Sequence, residues 1–219
     1  MQMWRQAAES STLPKNLCDA IAWAAWMRAL GLGDVLRVKR MSALLPESVR
    51  KTAGDSDEFP ATLALLRNPG LRPHLQQGVQ RSATYAQMEE FRDNWWCGRW
   101  TDGFGNGGYN SEDKATASAL PVEFLTAGEK KQAGEEAARL DALPSGAVWL
   151  GRRAIAYVKA HSEDKYAAEA LGLTVRTTPL GCSNESGEKD KSVLSKEAFE
   201  MLHRMYPKSE WTLKTKYYY

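Results

Sequence analysis

Along most of this chain, apolar residues recur at steps of three and four rather than alternating, the spacing of helices packed on one face. In SSTLPKNLCDAIAWAAWMRALGLGD, Leu17, Ile21, Ala24, Ala25 and Arg28 fall at helical intervals. Ser11 or Thr12 can cap that helix, Pro14 suits its first turn, and Gly31 and Gly33 stop it. Asp34 can cap a second helix through VLRVKRMSALL, ended by Pro46, and PESVRKTA adds a short third. Asp57 or Glu58 precedes FPATLALLRNPG, with Pro60 near its start and Asn68-Pro69-Gly70 as terminator. RPHLQQGVQR and TYAQMEEF each have room for further turns.

From Arg92 to about Val122 the periodicity disappears. Gly103, Gly105, Gly107 and Gly108 forbid a regular helix there, and a stretch of this length is a natural divider between two halves. Helical spacing resumes in FLTAGEKKQAGEEAARLDAL, where Thr126 and Glu129 stand at capping-box spacing. Another helix covers about Ser145 to His161. SEDKYAAEALGLTVRTTP follows, with acidic residues in its first turn and Pro179 ending it. After a polar loop, GCSNESGEKDKSV, the segment LSKEAFEMLHRMYPKSEW opens on Ser195 and closes on Pro207. VWLGRRAIAYV is the one β-branched stretch, and its spacing also fits a helix.

Composition narrows the function classes. The 219 residues carry 29 basic and 27 acidic side chains, interspersed, for a net charge of +2. That balance gives little support to nucleic-acid binding, which needs a dense basic face. Hydrophobic residues make up 43 % of the chain, and no apolar run approaches the roughly 20 residues of a membrane span. The start, MQMWRQAAESSTLPKN, lacks the features of a secretory signal, which read literally points to the cytosol and equally fits a mature form or a fragment. Cys18, Cys97 and Cys182 form no C-x-x-C. Nothing in this pattern calls for a metal or another cofactor.

Candidate chemistry concentrates in FRDNWWCGRW. Flat indoles there can form a sugar platform, with Asp93 or Asn94 taking hydroxyls, or a surface for a partner. The reading we favour is structural: Trp95 and Trp96 anchor the following loop to the helical core while Arg92 and Asp93 pair with backbone at its base. Glu89, Glu90, Asp93 and Asp102 are the available acid and base groups for a glycosidase, and Glu89 and Glu90 are more simply a solvated helix face. GFGNGG lacks the lysine and hydroxyl end of a phosphate loop. His74, His161 and His203 have no second ligand at metal spacing, and Cys18 reads as a small core residue.

An internal repeat emerges when AIAYVKAHSEDKYAAEA, from Ala154, is set beside AFEMLHRMYPKSEWTLKT, from Ala198, at an offset of about 44 residues. Tyr166 and Trp211 then occupy matching places after each exit. HRMYPKSEW with SKEAF resembles the second helix of tetratricopeptide-type repeats. STLPKNL with AAWMRALGLGD, LLRNPGLRPHL, FRDNWWC and LSKEAFEMLHRMYPKSEWTLKTKYYY are similar to the C-terminal part of a group of large, uncharacterised bacterial helical-repeat proteins thought to be exported. The chain differs from that group after NWWC, which is glycine-rich and short here, and over Arg40 to Phe59, which is condensed. The resemblance implies a periplasmic or extracellular setting. It also implies cysteines at the two points held by Cys97 and Cys182, bonded in an oxidising compartment, with two buried free thiols as the alternative.

Together these readings predict an all-α protein of stacked antiparallel helix pairs, tetratricopeptide-like, around a long aromatic and glycine-rich central loop. Its segments are 1–91, 92–122 and 123–219. The function expected is a non-enzymatic scaffold or protein-binding subunit of a bacterial cell-envelope assembly, with other proteins as partners. Trp211, Tyr217, Tyr218 and Tyr219 are its partner-surface candidates. The alternative is a carbohydrate-binding or glycosidase-like protein using the tryptophan-rich loop.

Overall fold

The structure, a computed structural model, describes residues 2–45, 47, 50, 58–75, 95–96, 100, 125–181 and 188–219. About 70 % of them are helical and none is in a strand. The first three helices are α1 (Gln2–Ala8), α2 (Lys15–Gly31) and α3 (Val35–Ser42). α4 (Glu58–Arg67), α5 (Ala127–Asp141) and α6 (Gly146–Ala160) follow. α7 (Ala167–Thr177) runs into a 3-10 turn, Thr178–Leu180, and α8 (Glu188–Met205) and α9 (Glu210–Lys214) complete the order.

α2 is the central element of the first half. Residues 21–30 are all buried, so the helix is enclosed on every side and Arg28 is drawn in with the rest. Its start differs from the cap expected. The hydroxyls of Ser10 and Thr12 bond each other at 2.9 Å, and Pro14, which has no N–H to satisfy, occupies the cap position. Its end is as expected: Gly33 takes a φ of +69° that glycine adopts without a Cβ penalty. Asp34 then caps α3 by accepting from Arg37 N at 3.0 Å. α1 carries no marked apolar period in sequence and forms by packing on α2.

α4 ends where Asn68 donates its side-chain amide to Ala64 O at 2.7 Å. At the start of α5 both halves of the capping box are made, Glu129 N to Thr126 Oγ1 at 3.3 Å and Thr126 N to Glu129 Oε2 at 2.9 Å. The two backbone and side-chain bonds to Thr126 hold the Glu129 carboxyl below its ordinary value. α7 starts later than the acidic run suggests. Asp164 closes a turn onto Tyr166 N at 2.7 Å, leaving Glu169 as the acidic residue of the first turn.

α8 opens two turns before Ser195, the start expected from sequence. The reason lies in its inner face, where Lys191, Ser195, Ala198 and Leu202 are all buried at helical spacing. Lys191 lays its aliphatic stem over Gly181, so a polar residue begins the packed stripe.

The second half packs α6, α7 and α8 on one another, with α4 against α6 and α7, and α9 against α7 and α8. Ile155, Val158, Leu171, Val175, Ala198 and Leu202 form one apolar cluster between α6, α7 and α8. The ion pairs Arg152–Asp190 and Lys159–Glu197 both join residues 38 apart (190 − 152 and 197 − 159), so α6 and α8 run in the same direction. α4 is fastened to α7 by a two-pronged bond from Arg67 to Glu169, at 2.6 and 2.5 Å, with the guanidinium over Tyr166. The hydrogen bond to Glu169 raises the Arg67 pKa above its ordinary value.

Candidate functional site

The three tryptophans of FRDNWWCGRW lie inside the molecule. Trp95 is 1 % exposed, and Trp96 and Trp100 are at 0 %. Trp95 meets Trp96 and Trp100 edge to face, and Trp100 meets Trp149 of α6 in the same way, with centroids 4.5, 5.8 and 5.1 Å apart. Such contacts set the positive edge of one ring against the negative face of the next. The chain around them is shaped to admit the rings. Gly146 opens α6 directly under Trp95, and a Cβ there would stand 2.8 Å from the indole. Gly31 closes α2 under Trp100, and a Cβ there would stand 2.7 Å from that ring.

Main-chain bonds complete the contact. Gly146 N donates to Trp95 O at 2.9 Å, Trp100 Nε1 donates to Pro144 O at 3.0 Å, and Trp100 N donates to Asp141 Oδ1 at 3.2 Å. The cluster therefore joins the C-terminal end of α2, the α5–α6 turn and the first turn of α6. Trp149 was not singled out in the sequence, where it sits in a segment read only as helix or strand. The available signal was a glycine two residues after a proline, in Pro144-Ser145-Gly146, marking close approach of a large group. Arg92 and Asp93, expected at the base of the loop, and Asn94, Asp102, Glu89 and Glu90 lie outside the described residues.

Cys97 and Cys182 also lie outside them. The residues just before each come together: a Cβ on Gly181 would stand 3.3 Å from Trp96 O. Cys18 is a buried free thiol whose sulfur faces the carbonyls of Ala7, Ser10 and Leu13 at 3.5–3.8 Å. It borders an open cleft of about 540 Å³ between α1, α2 and the end of α3, whose rim carries Glu9, Lys15, Asp19, Glu47 and Arg50. Lys15 is paired to Asp19 at 2.9 Å on that rim.

The aromatic residues at the other end of the chain differ. Trp211 faces inward: a Cβ on Gly172 of α7 would stand 2.9 Å from its ring, and it packs against both apolar clusters. Tyr217, Tyr218 and Tyr219 are 67, 44 and 55 % exposed. Leu213 of α9 is 71 % exposed, so an apolar side chain stands out from α9 as well. Of the histidines, His74 is buried, His161 stacks on Tyr157, and His203 stacks on Phe199 with Nε2 2.8 Å from Thr215 O.

Among the described residues no group of three or more His, Cys, Asp or Glu gathers at metal-binding distances, and no helix is long and apolar enough to cross a membrane. No protein-family model, curated protein or solved structure matches the chain.

Proposed function

We propose that this protein is a non-enzymatic scaffold or protein-binding subunit of a larger assembly, and that it meets its partner through the C-terminal aromatic end. One contrast carries the reading. Each of the chain's eight tryptophans is buried or half-buried, while its last three tyrosines are left in water. Large aromatics are expensive to expose and enriched at interfaces, so three consecutive exposed tyrosines mark a contact surface.

The parallel course of α6 and α8 and the shared burial of Ala154 and Ala198, both at 0 %, support reading 146–219 as two tetratricopeptide-like helix pairs in succession. In that arrangement α8 and α9 form the second pair. The bacterial cell-envelope setting rests on the sequence resemblance alone. Within the same reading the buried rings of Trp95, Trp96 and Trp100 are the internal anchor of the glycine-rich segment. Cys97 and Cys182 are a bridged pair in an oxidising compartment, an idea that the closeness of Trp96 and Gly181 supports. The carbohydrate reading draws nothing from these rings, because sugar stacking needs an open indole face and theirs are closed.

Affinity capture from cells of the source organism tests the proposal. Intact protein and a Tyr217→Ala, Tyr218→Ala, Tyr219→Ala variant serve as parallel baits. A protein partner retained by the first and lost from the second is the expected result. Identical capture by both, with equal melting temperatures, would remove the C-terminal end as the contact surface.

A further inference from the structure

The last residues of the chain lie along α8, at the edge of its buried stripe, and run against its direction. His203 Nε2 is 2.8 Å from Thr215 O, the Tyr218 ring centroid is 5.4 Å from that of Phe199, and Tyr219 N donates to Ser195 Oγ at 3.0 Å. His203, Phe199 and Ser195 stand four residues apart on one helix face. Eight helical residues rise about 12 Å, and four extended residues span about 13 Å, so the tail and its seat match in length. Both hydrogen bonds fall on the tail's main chain and one ring contact supplies the rest. The seat therefore recognises an extended segment bearing an aromatic residue.

The hold on the tail differs from the hold on α9. Trp211 is wedged against Gly172, and Thr212 Oγ1 donates to Tyr206 O at 2.6 Å, so α9 belongs to the core. Thr215 is still 4 % exposed, whereas the three tyrosines that follow are open to solvent. The separable piece is thus the segment after Thr215.

We propose that the seat on α8 also takes the tail of a second copy of the chain, so that two copies associate through facing α8 helices with their tails crossed. This rests on the protein-binding reading above and names its partner. A second copy is the partner whose fit the structure displays, because it carries the same tail and can remake the Tyr218–Phe199 and Tyr219–Ser195 contacts in the same register. The face is then self-complementary, as a two-fold interface requires. In one chain the tether holds the tail at an effective concentration in roughly the millimolar range, so exchange shows most clearly when the seat's own tail is removed.

The experiment uses an acceptor chain lacking Tyr217 to Tyr219 and a donor chain carrying Phe199→Ala. Isotope-labelled acceptor is titrated with unlabelled donor up to about 1 mM, the range set by the tether. Amide shifts confined to the turns around Ser195 and Phe199, with a heterodimer in sedimentation, are expected. A synthetic peptide of residues 216–219 should reproduce the shifts, and a donor that also lacks its tail should give none. A folded acceptor that responds to neither donor nor peptide overturns the proposal, while the partner capture described above would stand unaffected. A response to peptide but not to donor, or shifts elsewhere on the surface, overturns the second copy as occupant. If Phe199→Ala does not fold, Phe199→Leu replaces it, and the peptide arm needs only the acceptor.

Discussion

Single residues decide where the tryptophan cluster can form. Gly146 is required because the Trp95 ring occupies the space of its missing Cβ, and that ring is enclosed and cannot step aside. Gly146→Ala is expected to cost about 1–3 kcal/mol through overpacking, a fall of roughly 3–10 °C in melting temperature for a chain of this size. Gly134→Ala is the control: nothing lies within 4 Å of that position on α5, so the change should be neutral or stabilising by up to about 1 kcal/mol. Thermal melts of the two variants check this, and equal losses would remove the cluster as the cause. A bridge between Cys97 and Cys182 would close about 85 residues and contribute about 4 kcal/mol on a chain-entropy estimate. Non-reducing peptide mapping of protein from an oxidising compartment should yield that pair, and free Cys97 or a Cys18–Cys97 pair would refute it.

At the scale of elements, local chemistry was legible in sequence and long-range chemistry was not. Asp34 on Arg37 N and Thr126 with Glu129 are contacts within one turn, and their residue types announced them, as Asn68-Pro69-Gly70 announced the end of α4. The start of α8 was misplaced because Lys191 is polar in sequence and apolar in use, its stem packing on a glycine ten residues earlier. Trp149 escaped notice because its meaning comes from Trp100, brought to it by the fold. The helix junctions give two further tests. The Glu129 carboxyl is held low by Thr126, so its contribution to α5 is fully present above the ordinary value of 4.5 and is lost as pH falls through the lowered value. Thr126→Ala should remove that acid-range dependence of α5 helicity, read by hydrogen exchange of the 127–131 amides. Arg67→Ala strips both bonds from Glu169 and should cost about 1.5–3 kcal/mol, and an Arg67→Ala, Glu169→Ala pair should cost less than the sum of the two. Additive losses in a double-mutant cycle would show that the contact between α4 and α7 does not depend on this pair.

For the whole molecule, the contrast between the buried or half-buried tryptophans and the three exposed C-terminal tyrosines is the feature that bears on function. The interior rings hold the two halves of the described structure to one another: Trp100 touches the end of α2 and the start of α6 through the same ring system. The C-terminal tyrosines contribute little of this, since their side chains remain exposed and their segment adds one directional bond and one ring contact to α8. Folding and association should therefore separate experimentally. Deleting Tyr217 to Tyr219 and following both the melting temperature and the association state by sedimentation tests this most directly. The account predicts a melting temperature within about 3 °C of the intact chain together with loss of association. A large fall in melting temperature with association unchanged would contradict it.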